Sequence, residues 1–83
     1  NEASIELPDH DGYDKNFKIL MMKLKLKYKT NVKKGDKDHG SLPVLDGTVV
    51  TGDAKVIQKM LQTMYGNDWK NMYKLKGNIF KSV

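Results

Sequence analysis

Four lysines, Lys23, Lys25, Lys27 and Lys29, alternate with Met22, Leu24, Leu26 and Tyr28. On an extended chain, residues two apart share a face and stand about 6.6–6.8 Å from one another. That repeat is comparable to the phosphate spacing of an extended nucleic-acid strand. A one-sided row of ammonium groups therefore suits attraction of a polyanion that is independent of its sequence and sensitive to salt. The same row also makes a solvated sheet face whose charge discourages edge-to-edge pairing. Lys33 and Lys34 prolong the row, and Lys70 and Lys74 return to it later in the chain. All fifteen basic residues are lysine. Lysine is a point charge, whereas bidentate reading of guanine favours arginine, so the backbone of a nucleic acid is the better target than its bases. Codon usage in an AT-rich genome is the simpler account of the missing arginine.

Other candidate chemistry is sparser. Asp9-His10-Asp11-Gly12-Tyr13-Asp14 has acids at alternate positions and a glycine at a bend, like a calcium loop. Counting from Asp9, however, the twelfth position is Leu20, where an EF-hand needs a bidentate glutamate. His10 and His39, each beside an aspartate, are the only imidazoles that could share a transition metal. We expect no metal site and no cofactor. Ser4, Ser41 and Ser82 lack a nucleophile elbow, and there is no phosphate-cradling glycine loop. No acid–base pair is singled out by spacing, so no catalytic residue is assigned and an enzyme is not expected.

The elements that must position these lysines follow from periodicity. Strict alternation from Met22 to Val32 predicts a half-buried strand, extended back to Phe17 with a register shift near Met21. Residues 33–40 read as a polar loop. Asp46-Gly47, flanked by Val44, Leu45, Thr48, Val49 and Val50, predicts a hairpin. Asp53 is placed to cap a helix running to Tyr65, with an apolar stripe of Val56, Ile57, Met60, Leu61, Met64 and Tyr65 and Gly66 at its end. Asn67 and Asp68 open a second predicted helix with Trp69, Met72 and Tyr73 on one side and Gly77 as its stop, and Asn78–Phe80 reads as a last short strand. The phrase Tyr65-Gly-Asn-Asp-Trp-Lys-Asn-Met72 resembles Myb/SANT-type helices and is similar to a segment of some nucleolar ribosome-assembly proteins. That resemblance implies a helix-turn-helix whose reachable groups would be Lys70, Asn71 and Lys74.

Charge is segregated into blocks. Residues 1–14 carry five acids and no lysine, whereas residues 15–34 carry eight lysines and no acid. Residues 1–15 therefore read as an acidic N-terminal arm, with a short strand at Ser4–Leu7 and acids able to fold back over the lysine row, and residues 16–83 as one small domain. Eighty-three residues leave little core volume for an enclosed active site. With no cysteine there is no disulfide framework, which leans towards an intracellular home, cytoplasm or nucleus. No apolar run spans a membrane. The expected fold is α+β, a small antiparallel sheet followed by two packed C-terminal helices. The expected function is that of a small basic nucleic-acid-binding accessory protein, weakly sequence-specific, using Lys23, Lys25, Lys27, Lys29, Lys33, Lys34, Lys70 and Lys74. A protein-interaction or inhibitory module, or a structural subunit docking acidic or apolar surfaces, is the alternative.

Overall fold

In the computed structural model the described residues are 1–7, 14–33 and 44–83. The chain runs β1 (Glu2–Leu7), α1 (Lys15–Leu24), β2 (Lys27–Lys33), β3 (Val44–Asp53), α2 (Ala54–Tyr65), a 3-10 turn (Gly66–Asp68), a single turn α3 (Trp69–Met72), β4 (Tyr73–Lys76) and β5 (Ile79–Ser82). The strands form one five-stranded sheet in the order β2-β3-β1-β5-β4. All neighbours are antiparallel except β1 and β5, which run parallel, so the sheet is mixed. The α+β class holds, but the helices do not simply follow the sheet: α1 lies between the first two strands, and a strand hairpin comes last.

Residues 2–7 are the middle of this sheet rather than an arm. Ala3, Ile5 and Leu7 are buried while Glu2 and Glu6 are exposed, the period-2 pattern of a strand with one covered face. Both edges of β1 are paired, to Thr48–Asp53 of β3 and to Ile79 and Phe80 of β5. The acids occupy only the uncovered face, so the negative charge of this segment is compatible with a central position.

The strand predicted over Phe17–Val32 is two elements. Phe17, Leu20, Met21 and Leu24 fall at i, i+3, i+4 and i+7 and make the inner stripe of α1, with Phe17 and Met21 buried. Asp14 caps the helix, its Oδ1 accepting from the Asn16 N–H at 2.9 Å. The helix ends in a Schellman motif: the Leu26 N–H donates to Met21 O and the Lys25 N–H to Met22 O. Lys25 sits there in the left-handed region, at φ 56°. The apolar–lysine alternation thus runs straight through a helix terminus, and only its second half belongs to a strand.

Three further expectations change. The Asp46-Gly47 hairpin is absent; β3 runs through it, and the register against β2 shifts between Thr30 and Val32. Gly47, at φ 96°, takes the positive-φ position of this bulge, and a Cβ there would lie 3.1 Å from Glu6 Oε1. The second predicted helix shrinks to one turn, because Tyr73–Lys76 pair with Ile79–Ser82 around Gly77-Asn78. Gly77, at φ 62°, supplies the positive first position that a two-residue type II′ loop needs. Consequently there is no helix-turn-helix at Tyr65–Met72.

Both long helices cover one face of the sheet. Ile57, Met60 and Leu61 of α2 share one cluster with Phe17 and Met21 of α1 and with Ala3, Ile5, Leu7, Val50, Tyr73 and Phe80 of the sheet. Aromatic contacts close the cluster at both ends: Phe17 meets Tyr28 edge-on at 5.4 Å, and Trp69 meets Phe80 at 6.4 Å. Trp69 Nε1 also donates to Gln62 Oε1, which ties the turn after α2 back to that helix. The one buried polar side-chain atom without a partner among the described residues is Thr48 Oγ1. Replacing Thr48 by valine removes this unpaired hydroxyl and is expected to stabilise the fold by about 1 kcal/mol. A thermal melt reads this as a higher Tm; a lower Tm would show that the hydroxyl has a partner.

Asp53 caps α2 as predicted, its Oδ1 accepting from the Lys55 N–H at 2.8 Å. This backbone hydrogen bond holds the carboxyl below its ordinary value of 3.8, against an opposing effect of desolvation. A depressed folded-state pKa contributes stability above the unfolded value and loses it as pH falls through the folded one. Asp53→Asn keeps a capping oxygen and abolishes the titration. The variant is therefore expected to show a flatter fall of Tm than the parent below about pH 4. Parallel acid melts of the two proteins check this.

Candidate nucleic-acid interface

Strand alternation places the residues opposite to the core on a second face of the sheet, over which no described helix packs. Two cross-strand rows define it. One runs Lys27, Thr51, Ser4, Ile79, Lys76 from the β2 edge to the β4 edge, each residue in register with the next. In the other, Lys29 pairs with Val49 and Val49 with Glu6, and on the far side Lys81 pairs with Lys74. Lysines therefore stand at both margins of the face. Its middle holds Ser4, Val49, Thr51, Ile79 and the carboxylate of Glu6.

Lys27, Lys29, Lys74, Lys76 and Lys81 are exposed and make no ion pair with a described carboxylate. Lys74 and Lys81 face each other directly, a like-charge pairing that costs stability in a sheet unless a counter-charge bridges it. Two hollows of about 400 and 420 Å³ flank Val49 on this face. The first is lined by Ser4, Glu6, Ile79 and Lys81, the second by Lys27, Lys29 and Thr51. Of the described aromatic residues, Phe80 borders the first hollow and Tyr28, 38% exposed, borders the second. Tyr28, Tyr73 and Phe80 belong to the covered parity of their strands, and Phe17, Tyr65 and Trp69 are on the helical layer. The open face thus offers mainly charge, with Tyr28 the exposed described ring at its β2 margin.

The fold brings together three of the eight lysines singled out from sequence, Lys27, Lys29 and Lys74. Lys23 is on α1 and borders a groove on the helical side, and Lys25 occupies the helix terminus. The four-lysine row on a single strand face therefore does not form. Lys70 belongs to α3, whose Trp69 packs on the core side of β5. Lys33 ends β2 in register with Val44, and Lys34 lies outside the described residues. Lys76 and Lys81 complete the face and were missed. The signal for them was Tyr73-Lys-Leu-Lys76, a period-2 run immediately before Gly77-Asn78. Of the acidic segment, Glu2 and Glu6 do come to the lysine face, as part of the sheet rather than as a cover folded over it.

On the opposite side, α1 and the end of α2 enclose a groove of about 490 Å³ lined by Phe17, Ile19, Leu20, Lys23, Met64 and Tyr65, among others. Ile19 and Met22 are 52% and 79% exposed on the outer side of α1. Among the described residues no group of three or more His, Asp or Glu side chains is placed to hold a metal. The calcium-like loop and both histidines lie outside the described residues, apart from Asp14, which caps α1. No helix of the described residues is long and apolar enough to cross a membrane. No protein-family model, curated protein or solved structure matches the chain.

Proposed function

We propose that this chain is a small, non-enzymatic nucleic-acid-binding accessory protein of the cytoplasm or nucleus that holds the phosphate backbone on its open sheet face. The observation that carries this reading is the set of five exposed lysines on that face, Lys27, Lys29, Lys74, Lys76 and Lys81, none of which pairs with a carboxylate of the described residues. Phosphates relieve the Lys74–Lys81 repulsion as they bind, so part of the binding energy comes from removing a cost already present in the free protein. With no arginine to read guanine bidentately, binding is weakly sequence-specific.

The test is binding to labelled DNA and RNA at low salt, beside Lys27→Glu/Lys29→Glu. These positions are exposed on an edge strand, so the variant is expected to keep the parent's circular dichroism and lose at least tenfold in affinity. No binding by the parent, or equal binding by a folded variant, overturns the reading.

A second reading is favoured by Ile19 and Met22, exposed beside the α1–α2 groove. Methionine and isoleucine on an outer helix face suit an adaptable protein contact. Capture of one defined protein partner that survives nuclease and is lost in Ile19→Lys/Met22→Lys favours this module over the nucleic-acid reading.

A further inference from the structure

The lysines on the open face form two separate margins rather than one central patch. Lys27 and Lys29 line the β2 edge, while Lys74 and Lys76 line the β4 edge with Lys81 beside them. Four strand spacings separate the edges, which puts the two margins about 19 Å apart at the backbone. Between them lie Ser4, Thr51, Val49 and Ile79, with the Glu6 carboxylate in the middle. A phosphate chain crossing the centre of the face along β1 would meet that acid, with Lys81 on the neighbouring β5 as the one open-face lysine beside it. A single strand following one margin would reach only two or three of the open-face lysines.

Two phosphate chains held a groove's width apart meet neither obstacle. The walls of the B-DNA major groove stand about 12 Å apart at their surfaces. A lysine stem reaches several ångströms from its Cα, so margins about 19 Å apart can each touch one wall. Glu6 then lies over the groove, away from both phosphate chains. Resting on the phosphate-binding reading above, we infer that the preferred ligand is duplex DNA, straddled so that β2 holds one strand and β4–β5 the other. The acid between the margins disfavours the single-stranded alternative.

The salt dependence separates the cases. With five lysines engaged, log K against log salt for a duplex has a slope of about −4.5; a single strand held by one margin of two lysines gives about −1.4. The experiment measures both ligands, of equal length, with the parent, with Lys27→Gln/Lys29→Gln and with Lys74→Gln/Lys76→Gln. All altered side chains are exposed, thermal melts verify folding, and Lys→Arg counterparts keep the charge. The expected result is a duplex bound at least about tenfold more tightly than the single strand, with either margin variant flattening the duplex slope by about 1.8 and the arginine forms restoring it. Single-strand binding as tight as duplex binding, or a duplex slope unchanged in either margin variant, overturns the straddling geometry while leaving phosphate binding standing. Failure of both nucleic acids to bind at low salt removes both.

Discussion

Deleting residues 1–7 is expected to abolish cooperative folding. These residues carry charge typical of a solvated tail, yet Glu2–Leu7 is the third of five strands in spatial order. Its removal leaves two disconnected ribbons, β2–β3 and β4–β5, and two-stranded ribbons are marginal in water. It also withdraws Ala3, Ile5 and Leu7 from beneath α2, all three at most 3% exposed. A milder form of the same test is Ile5→Ala. Truncating a buried isoleucine costs roughly 2–5 kcal/mol, with the upper part of the range expected where neighbours on both sides are fixed by strand pairing. Ile5 pairs with Val50 and Phe80 at once, so the cavity has little means of collapse. A chain of 83 residues has a total stability of about 4–12 kcal/mol, so this one change removes a large fraction of it. Urea titration followed by circular dichroism measures both variants. A truncated protein that retains a cooperative transition would show that β1 is dispensable.

Raising salt from 50 to 200 mM is expected to weaken duplex binding by about 500-fold, from five displaced counterions and a slope of about −4.5. Few properties of so small a protein change this steeply under mild conditions. The argument depends on lysine chemistry as well as number. An ammonium engages phosphate as a hydrated point charge, and loss of released counterions dominates its free energy. Contacts from the neutral residues Ser4, Thr51 and Ile79 would add a salt-independent component and raise the floor of the curve without altering its slope. The Lys27→Glu/Lys29→Glu variant removes two attractions and introduces two repulsions, so it should lie below the parent throughout and converge with it at high salt, where screening reaches within a few ångströms. A nearly flat curve for the parent would show that phosphate neutralisation is not how this face binds.

The parts of the fold legible in the sequence were those set by local chemistry. Helix α2 carries its own signals: an aspartate that accepts from the backbone two residues on, an uninterrupted apolar stripe, and a glycine after it. The short strand at Ile79 and the α+β class were legible for similar reasons. The misread segments are those in which two periods fit the same letters and tertiary partners choose. Phe17, Leu20, Met21 and Leu24 keep helical spacing, but lysines at every second position from Lys23 onward impose a strand-like pattern across the same stretch. Trp69, Met72 and Tyr73 fit a helix as well as Tyr73 and Leu75 fit a strand, and pairing with β5 decides the matter after Met72. Asp46-Gly47 is a hairpin signal only for strands that end there. β3 continues because β1 and β2 pair along its two sides, leaving the glycine to serve a bulge.

The candidate site divides in the same way. Lys27 and Lys29 were legible because true strand alternation begins at β2. Lys23 and Lys25 were carried along by a pattern that had crossed a helix terminus. Lys76 and Lys81 were missed because the period-2 run from Tyr73 to Lys76 also fits a helix, and the last hairpin turns a one-edged row of charge into a two-sided face.

The parallel pairing of β1 with β5 has a consequence for synthesis. Of the described strands β1 leaves the ribosome first and β5 last, so the middle of this sheet waits for residues 79–82. Until they emerge, β1 can pair with β3 alone, and its other edge, with Ile5 beside it, stays open to a second nascent chain. Products interrupted before the β4–β5 hairpin should therefore be the aggregating species, and slow translation between β3 and β5 would be more hazardous to this sheet than slow translation before β3.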